Sequence, residues 1–243
     1  MAGGRGTRLG LGTKSLIIYK NKIILEYVIE SCVRAGIKRI IVALAPKRFE
    51  KGVEKAKLER LYSLIRKYPS IKFVRGPDSN TRRGPNNYRK YLNEKLPFYF
   101  LCGQSPQSSL FLKRLATLYK KNTIVVSGYR QCYGCEVSIG LSNKEKIKAF
   151  TNVKSAAPKN FKVSGKNYIT EFPYVLNFSF YDKFVKRDNF KNIIEMYPSR
   201  FLENGGFVYF SVNPVKVPEI DYINDLQKLF RSIDILVKKN YRT

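Results

Sequence analysis

The first fourteen residues combine small side chains with mobile positive charge, a combination suited to binding phosphate. The residues concerned are Gly3, Gly4, Gly6, Thr7, Arg8 and Lys14. Because glycine has no side chain, its backbone can approach an anion closely and direct several N–H groups at it. Arg8 and Lys14 can each aim a charge at a separate phosphate. The segment therefore predicts a loop that binds a polyphosphate, and an ordinary glycine-rich turn with solvated cations is the alternative.

Two better-known phosphate motifs do not fit this segment. A Walker loop needs glycine directly before lysine, but Thr13 separates Gly12 from Lys14. A dinucleotide-binding fingerprint needs glycine at the position that Leu9 occupies. Both motifs are therefore excluded.

The run from Gly3 to Leu9 resembles the signature of nucleotidyltransferases that join an NTP to a phosphorylated acceptor. The short gap between Arg8 and Lys14 is similar to the branch typified by molybdenum-cofactor and cobinamide-phosphate guanylyltransferases. The resemblance implies an α/β fold, namely a three-layer α/β/α Rossmann-like domain with a mostly parallel central sheet. It also implies transfer of an NMP, with GMP favoured, to a phosphorylated small molecule with release of pyrophosphate. A sugar-phosphate acceptor is an alternative.

The same resemblance assigns roles to the residues of the loop. Gly3, Gly4, Gly6 and Thr7 would bind the nucleotide and its phosphates. Arg8 would contact the β- and γ-phosphates, and Lys14 would lie near the α-phosphate.

Two further positions would hold Mg²⁺ in such an enzyme. Gln104, within Gly103-Gln104-Ser105-Pro106, stands where the family has a metal-binding aspartate, and Asp221 matches the family's later metal ligand. A neutral amide oxygen binds a hard cation more weakly than a carboxylate does. A catalytically impaired, nucleotide-binding relative is therefore a second interpretation. Near Asp221, Asn224 and Asp225 are also explained as a helix N-cap and first turn.

Asn86 is a candidate contact to the nucleobase. It lies in the run 82–87, where the resemblance places a loop beside the base, and an asparagine side chain offers both a donor and an acceptor. A turn with a helix cap explains the same residues equally well.

The composition limits the chemistry and leaves the charge open to several explanations. The chain has 46 Lys and Arg against 18 Asp and Glu, a net charge of +28, and no histidine. Such charge attracts nucleotides, nucleic acids and anionic membranes alike, and codon bias is a further explanation. A nucleic-acid partner is not favoured, because no strand carries the paired exposed aromatics of an RNA-recognition sheet.

Histidine and cysteine are too few for several kinds of site. Without histidine the chain cannot form a Ser-His or Cys-His nucleophile. Cys132 and Cys135 are the only closely spaced cysteines, and a structural zinc site needs four ligands.

The hydrophobic pattern alternates helices with apolar strands and predicts one domain over 1–243. A nucleotide-binding half would span 1–127, and an acceptor-side half with the final helix would span 128–243. The expected elements are helices at 24–33, 47–67, 86–95, 109–120 and 224–238, and strands at 37–45, 71–74, 97–102, 123–127, 137–141, 174–180 and 207–212. Gly36 would cap the first helix, whose apolar residues at helical spacing are Ile24, Leu25, Val28, Ile29, Cys32 and Val33. No apolar run approaches about 20 residues and no charged-then-apolar leader begins the chain, so we expect a cytoplasmic protein without a membrane partner. Family members have a strand before the glycine-rich loop, so we also expect translation to begin upstream of Met1.

Overall fold

The computed structural model describes residues 13–75, 85–93, 95–120, 123–130, 137–142, 146–152, 167–178, 207–218, 220 and 223–240. The chain divides into two compact units. The first comprises Met1–Thr81, Leu101–Lys113 and Val215–Thr243, and the second comprises Arg82–Phe100 and Arg114–Pro214. No helix within the described ranges is long and apolar enough to cross a membrane.

Ten strands, four α-helices and three 3-10 helices are described, in this chain order: a 3-10 helix at Lys14–Leu16, β1 (Ile18–Tyr19), β2 (Lys22–Ile23), α1 (Ile24–Arg34), β3 (Ile41–Leu44), a 3-10 helix at Lys47–Gly52, α2 (Lys55–Lys67), β4 (Lys72–Arg75), a 3-10 helix at Pro85–Tyr91, β5 (Phe98–Phe100), α3 (Ser109–Leu118), β6 (Thr123–Arg130), β7 (Val137–Ser142), β8 (Lys146–Asn152), β9 (Asn167–Leu176), β10 (Phe207–Val212) and α4 (Ile223–Asn240).

Helix α1 is buried on two sides in the first unit. One side contributes Leu25 and Ile29 to a core shared with β3 and α2. The other side contributes Ile24 and Tyr27 to a core shared with α4 and the segment before it. The predicted apolar face therefore exists, but Val33 was wrongly placed on it, since its side chain is 47% exposed.

The C-terminus of α1 follows the sequence signal closely. Gly36 has a φ of +81°, a left-handed conformation that glycine adopts without steric cost. Its N–H donates to the Val33 carbonyl at 3.0 Å, and the Ile37 N–H donates to the Cys32 carbonyl at 3.1 Å. These two bonds form a Schellman motif, so the predicted helix end at Gly36 is confirmed.

A tight hairpin between β1 and β2 was not predicted. Both residues of its turn have positive φ, 44° at Lys20 and 64° at Asn21. Two-residue hairpin turns with positive φ at both positions usually have the sequence Asn-Gly or Asp-Gly, and this turn has no glycine. The turn is nevertheless formed, because Tyr19 and Lys22 of the flanking strands contact α1, and Lys20 of the turn contacts α4.

The second unit contains a mixed six-stranded sheet in the order β5-β9-β6-β10-β8-β7. Because β7 also pairs with β9, five of the strands form a closed circuit of pairings. Among the described strand pairs of this sheet only β6 and β10 run parallel, and a register shift occurs between Val126 and Ser127 where β6 pairs with β9.

Helices alternate with parallel strands only in part of the chain. Parallel pairing holds for β3 with β4 in the first unit and for β6 with β10 in the second, whereas the other described pairs are antiparallel. The single helix predicted over 47–67 is interrupted near Gly52, and the predicted helix 86–95 is a 3-10 helix that ends at Tyr91. The predicted strand 207–212 matches β10, and α4 extends the predicted final helix slightly.

A polar contact fastens the hairpin to the C-terminal helix. The Tyr19 hydroxyl donates to Asp234 Oδ2 at 2.9 Å, and Lys20 Nζ donates to Asp234 Oδ1 at 2.7 Å. The Tyr19 ring stacks on Phe230 with 4.2 Å between centroids. The hydrogen bond from Lys20 holds the pKa of Asp234 below its ordinary value.

We predict that Asp234→Ala, which removes the acceptor of two partly exposed hydrogen bonds, lowers the free energy of unfolding at pH 7 by about 1 kcal/mol. Because the folded-state pKa of Asp234 is lowered, its contribution is present above the ordinary carboxyl pKa of 3.8 and is lost as the pH falls below that value. The difference between wild type and variant should therefore shrink below about pH 4. Urea titrations from pH 7 to pH 3 measure this, with Glu59→Ala as the control for an exposed carboxylate. A difference that does not vary with pH would contradict the prediction.

Candidate functional site

Lys14 begins a short 3-10 helix that is held on both sides. The Leu16 N–H donates to the Thr13 carbonyl at 2.9 Å, and the Ile17 N–H donates to the Lys14 carbonyl at 3.3 Å. Leu16 packs in the core shared with β3 and α2, whereas Ile17 packs in the core shared with α4. The backbone of Lys14 is thus fixed by two neighbours with buried side chains, while the Lys14 side chain is only half-buried.

The segment that precedes Asp221 is packed against the same region. Ile220 is fully buried, and it belongs to the core that contains Ile17. The Ser232 hydroxyl of α4 donates to the Lys216 carbonyl at 2.8 Å and anchors the approach to Ile220. The structure thus brings the neighbours of Lys14 and Asp221 into one hydrophobic cluster, although Asp221 itself lies outside the described residues.

Gln104 occupies a tight turn of the first unit. The Ser105 N–H donates to the Cys102 carbonyl at 3.2 Å and closes the turn around Gly103 and Gln104. The next residue, Pro106, contributes to a shallow groove between α1 and α4, together with Tyr27, Ser31, Arg34, Ile233 and Leu236. This turn therefore lies beside the helix pair that also supports the segments of Lys14 and Asp221.

Gln107 braces that turn and was missed by the sequence analysis. Its side chain is almost fully buried, at 1% exposure, and Nε2 donates to both the carbonyl and the hydroxyl of Ser105 at 3.1 Å. Ser108 and Ser109 are also buried. A run of Gln, Ser and Pro is typical of an exposed loop, so the sequence offers no signal that these side chains are buried.

The structure describes little of the remaining predicted site residues. Gly3, Gly4, Gly6, Thr7, Arg8 and Asp221 lie outside the described residues. The backbone of Asn86 lies in the 3-10 helix Pro85–Tyr91 of the second unit, and its side chain also lies outside what is described. The loop predicted around Asn86 is thus partly helical, and its contact with a nucleobase stays a prediction.

The described residues contain no group of three Asp, Glu, His or Cys side chains that could hold a metal ion. Gln104 and Asp221 would together offer one amide oxygen and one carboxylate. That donor set fits Mg²⁺, which proteins commonly bind through one or two carboxylates together with substrate phosphates and water. The fit depends on nucleotide phosphates to complete the coordination.

Two described cysteines can be assessed for reactivity, and one is clearly inert. Cys32 is buried within α1, and burial raises the pKa of its thiol to about 12. A thiolate is the reactive form, so Cys32 is a core residue and not a nucleophile. Cys102 is half-buried, and the Cys132 and Cys135 pair lies outside the described residues.

The chain matches no protein-family model and no curated protein sequence. Its fold is similar to solved structures along nearly its whole length. The inositol-1-phosphate CTP transferase from T. maritima aligns with a TM-score of 0.67 and 14% identity over 97% of this chain and 93% of that chain. UDP-glucose pyrophosphorylase in complex with UDP-glucose aligns with a TM-score of 0.64 and 15% identity over 98% and 97% of the two chains.

A nucleotidyl transferase from Methanothermobacter shows the same likeness, with a TM-score of 0.59 and 16% identity over 98% of this chain and 96% of that chain. At such low identity the likeness is one of fold. The expected Rossmann-like nucleotidyltransferase fold is therefore supported, whereas the likeness does not single out the guanylyltransferase branch.

We predict that Gln107→Leu destabilises the turn at Gln104. The substitution keeps the side-chain volume but leaves the Ser105 carbonyl and hydroxyl without their donor, at an expected cost of about 1–3 kcal/mol. Urea unfolding measures this free energy. Thr117→Ala on α3 removes a hydroxyl that donates to the Arg114 carbonyl at the surface, and we expect it to change stability by less than about 0.5 kcal/mol. Equal effects of the two variants would show that Gln107 does not brace the turn.

Proposed function

We propose that this chain is a nucleotidyltransferase that moves an NMP from an NTP to a phosphorylated small-molecule acceptor and releases pyrophosphate. The observation that carries the proposal is the fold likeness, over 97–98% of the chain, to a CTP transferase, a pyrophosphorylase and a nucleotidyl transferase. The glycine-rich run that leads into Lys14 supports it from the sequence.

The residues of the chain suit a reaction that needs no side-chain base. An oxygen of the acceptor's phosphate is already anionic, so it can attack the α-phosphorus of the NTP without losing a proton. A bond forms between that oxygen and the α-phosphorus, and the bond from the α-phosphorus to the oxygen that bridges to the β-phosphate breaks. The electron pair of the broken bond leaves with pyrophosphate. The absence of histidine from the chain is therefore compatible with the reaction.

Positive charge and positioning would then be the main contributions of the protein. Lys14 would neutralise charge that develops near the α-phosphate, and Arg8 would bind the β- and γ-phosphates that leave. The buried neighbours Leu16 and Ile17 fix the backbone of Lys14, so its ammonium group acts from a defined origin. Such preorganisation lowers the barrier, because little rearrangement is needed during the reaction.

Mg²⁺ is the proposed cofactor, held by Gln104 and Asp221 together with the phosphates of the substrate. When bound, the ion would neutralise charge on the phosphates. The common core of Ile17 and Ile220 supports this assignment, because it ties the chain next to Asp221 to the chain that carries Lys14. Gln107 would hold the turn of Gln104 in a fixed orientation.

The base and the acceptor are finer points of the proposal. The short spacing from Arg8 to Lys14 favours GTP and a molybdopterin-type or cobinamide-type precursor. The solved structures with a similar fold include proteins that are named for CTP and for UDP-glucose. A pyrimidine nucleotide and a sugar-phosphate or alcohol-phosphate acceptor are therefore equally well supported.

A second candidate function is nucleotide binding without turnover. The observation that favours it is Gln104, whose neutral amide replaces the carboxylate that the family resemblance leads one to expect. Such a protein would bind an NTP and sense it without transferring the nucleotide.

Pyrophosphate release from each of the four NTPs, with Mg²⁺ and a pool of phosphorylated acceptors, tests the proposal. We expect release with one NTP, and we expect Lys14→Ala to reduce the rate by about 100–1,000-fold, the usual effect of removing one group that stabilises transition-state charge. Lys113→Ala, which removes an exposed cation, serves as the control and should keep the wild-type rate. Saturable NTP binding without any release would instead support the second candidate, and absence of both would contradict the proposal.

A separate prediction concerns the residue at position 104. Gln104→Asp supplies a carboxylate, so it should lower the Mg²⁺ concentration needed for half-maximal activity, by about 10-fold if the gain in binding is near 1.4 kcal/mol. Activity measured across a Mg²⁺ titration gives this concentration, and Gln104→Asn serves as the matched neutral control. An Asp variant with an unchanged or higher Mg²⁺ requirement would show that position 104 does not face the metal.

A further inference from the structure

Three cations near the start of β3 and the end of α2 are exposed and carry charge that is not neutralised locally. They are Lys38, Arg39 and Arg66. Among the described residues, none of the three side chains forms an ion pair or a hydrogen bond. Lys67, next to Arg66, differs, because its ammonium group donates to Glu26 at 2.7 Å.

Backbone contacts bring these cations together at one edge of the first unit. The Lys72 N–H donates to the Ile40 carbonyl at 3.0 Å, which joins the segment of Lys38 and Arg39 to the beginning of β4. The Ile71 N–H donates to the Tyr68 carbonyl at 3.0 Å, so the chain turns directly from α2 into β4. We call the exposed residues Lys38, Arg39 and Arg66 the basic edge.

The sequence around the basic edge contains no acidic residue. The runs 31–49 and 60–75, which contain the whole edge, have no Asp or Glu. The carboxylates that contact the neighbouring Lys67, Glu26 and Glu30, are already paired with it, so the three exposed cations favour an anionic partner.

The surface chemistry narrows the class of partner. The large exposed hydrophobic residues of the described part are Val33, Tyr62, Leu96, Leu110, Val212, Ile223 and Ile235, and of these only Tyr62 lies one helical turn from a residue of the basic edge, Arg66. An amphipathic membrane-surface helix carries apolar side chains that insert between lipids, and a protein interface usually has an apolar centre. A hydrated polyanion that needs neither is the better match.

We propose that the basic edge binds the phosphate backbone of a nucleic acid, a mode of binding that needs no RNA-recognition sheet. Guanidinium and ammonium groups contact phosphates without reading the bases, so binding should be independent of sequence. The edge lies where the parallel strands β3 and β4 begin, whereas ligands of α/β sheets bind beyond the carboxyl ends of their strands. A nucleic acid on the basic edge would therefore leave a nucleotide site at the opposite ends of these strands accessible. The proposal of a nucleic-acid partner does not depend on the proposed function.

The salt dependence of binding to a fluorescein-labelled 20-nucleotide RNA of mixed sequence tests the proposal. Each phosphate contact to a single strand contributes about 0.7 to the slope of log K against log salt concentration. The triple variant Lys38→Ala, Arg39→Ala and Arg66→Ala should reduce that slope by about 2. A matched triple variant, Lys95→Ala, Lys113→Ala and Lys239→Ala, removes the same charge from other exposed positions and should keep most of the slope.

Three further measurements test the proposal, namely binding of DNA, competition with NTP and binding to lipid vesicles. Equal binding of DNA of the same sequence supports recognition of the phosphates, whereas binding of RNA alone would overturn the proposal, because it requires contacts to the 2′-hydroxyl. Saturating NTP should not displace the RNA. Displacement by NTP, equal loss of slope in both triple variants, or no RNA binding by the folded wild type would overturn the proposal. The proposal would also be overturned if the triple variant of the basic edge lost binding to vesicles with anionic lipid but kept its binding to RNA.

Discussion

The double-sided burial of α1 is the constraint on which the first unit depends. Ile24 and Tyr27 pack toward α4, whereas Leu25 and Ile29 pack toward β3 and α2. Each fully buried aliphatic side chain contributes about 1.5–3 kcal/mol, so neither side of the helix can be exposed without a cost comparable to the stability of a small domain. The two cores therefore fix α1 between elements that are far apart in sequence. The segments of Lys14, Gln104 and Asp221 all reach this helix or its immediate neighbours.

The sequence predicted those features that a local rule controls. Gly36 ends α1 because only glycine adopts a positive φ without strain, and the apolar spacing of α1 identified most of its buried residues. The hairpin at Lys20 and Asn21 was missed because its turn has no glycine and is held in place by contacts with distant residues. Local signals cannot show such long-range compensation.

The candidate site likewise combines residues that the sequence predicted with residues that only the structure reveals. Lys14 and Gln104 were found as members of motifs, and their environment is described by the structure. Gln107 could not be found, because its burial and its two bonds to Ser105 arise only when the turn packs in the folded unit. The sequence also could not predict the mixed pairing of the larger sheet, because a short apolar strand has the same residue pattern whether its neighbour runs parallel or antiparallel.

The composition of the first unit from three separate stretches of chain has a consequence for biosynthesis. The side of α1 that packs toward α4 is covered by residues that are made long after α1 leaves the ribosome, namely Val215, Ile220 and Leu229. During that interval the apolar side of α1 that faces α4 in the native fold has no native partner. Nascent chains of this protein should therefore be clients for chaperones that shield apolar surfaces, and prematurely terminated chains should aggregate or be degraded. Folding and quality control of the chain thus depend on the last helix.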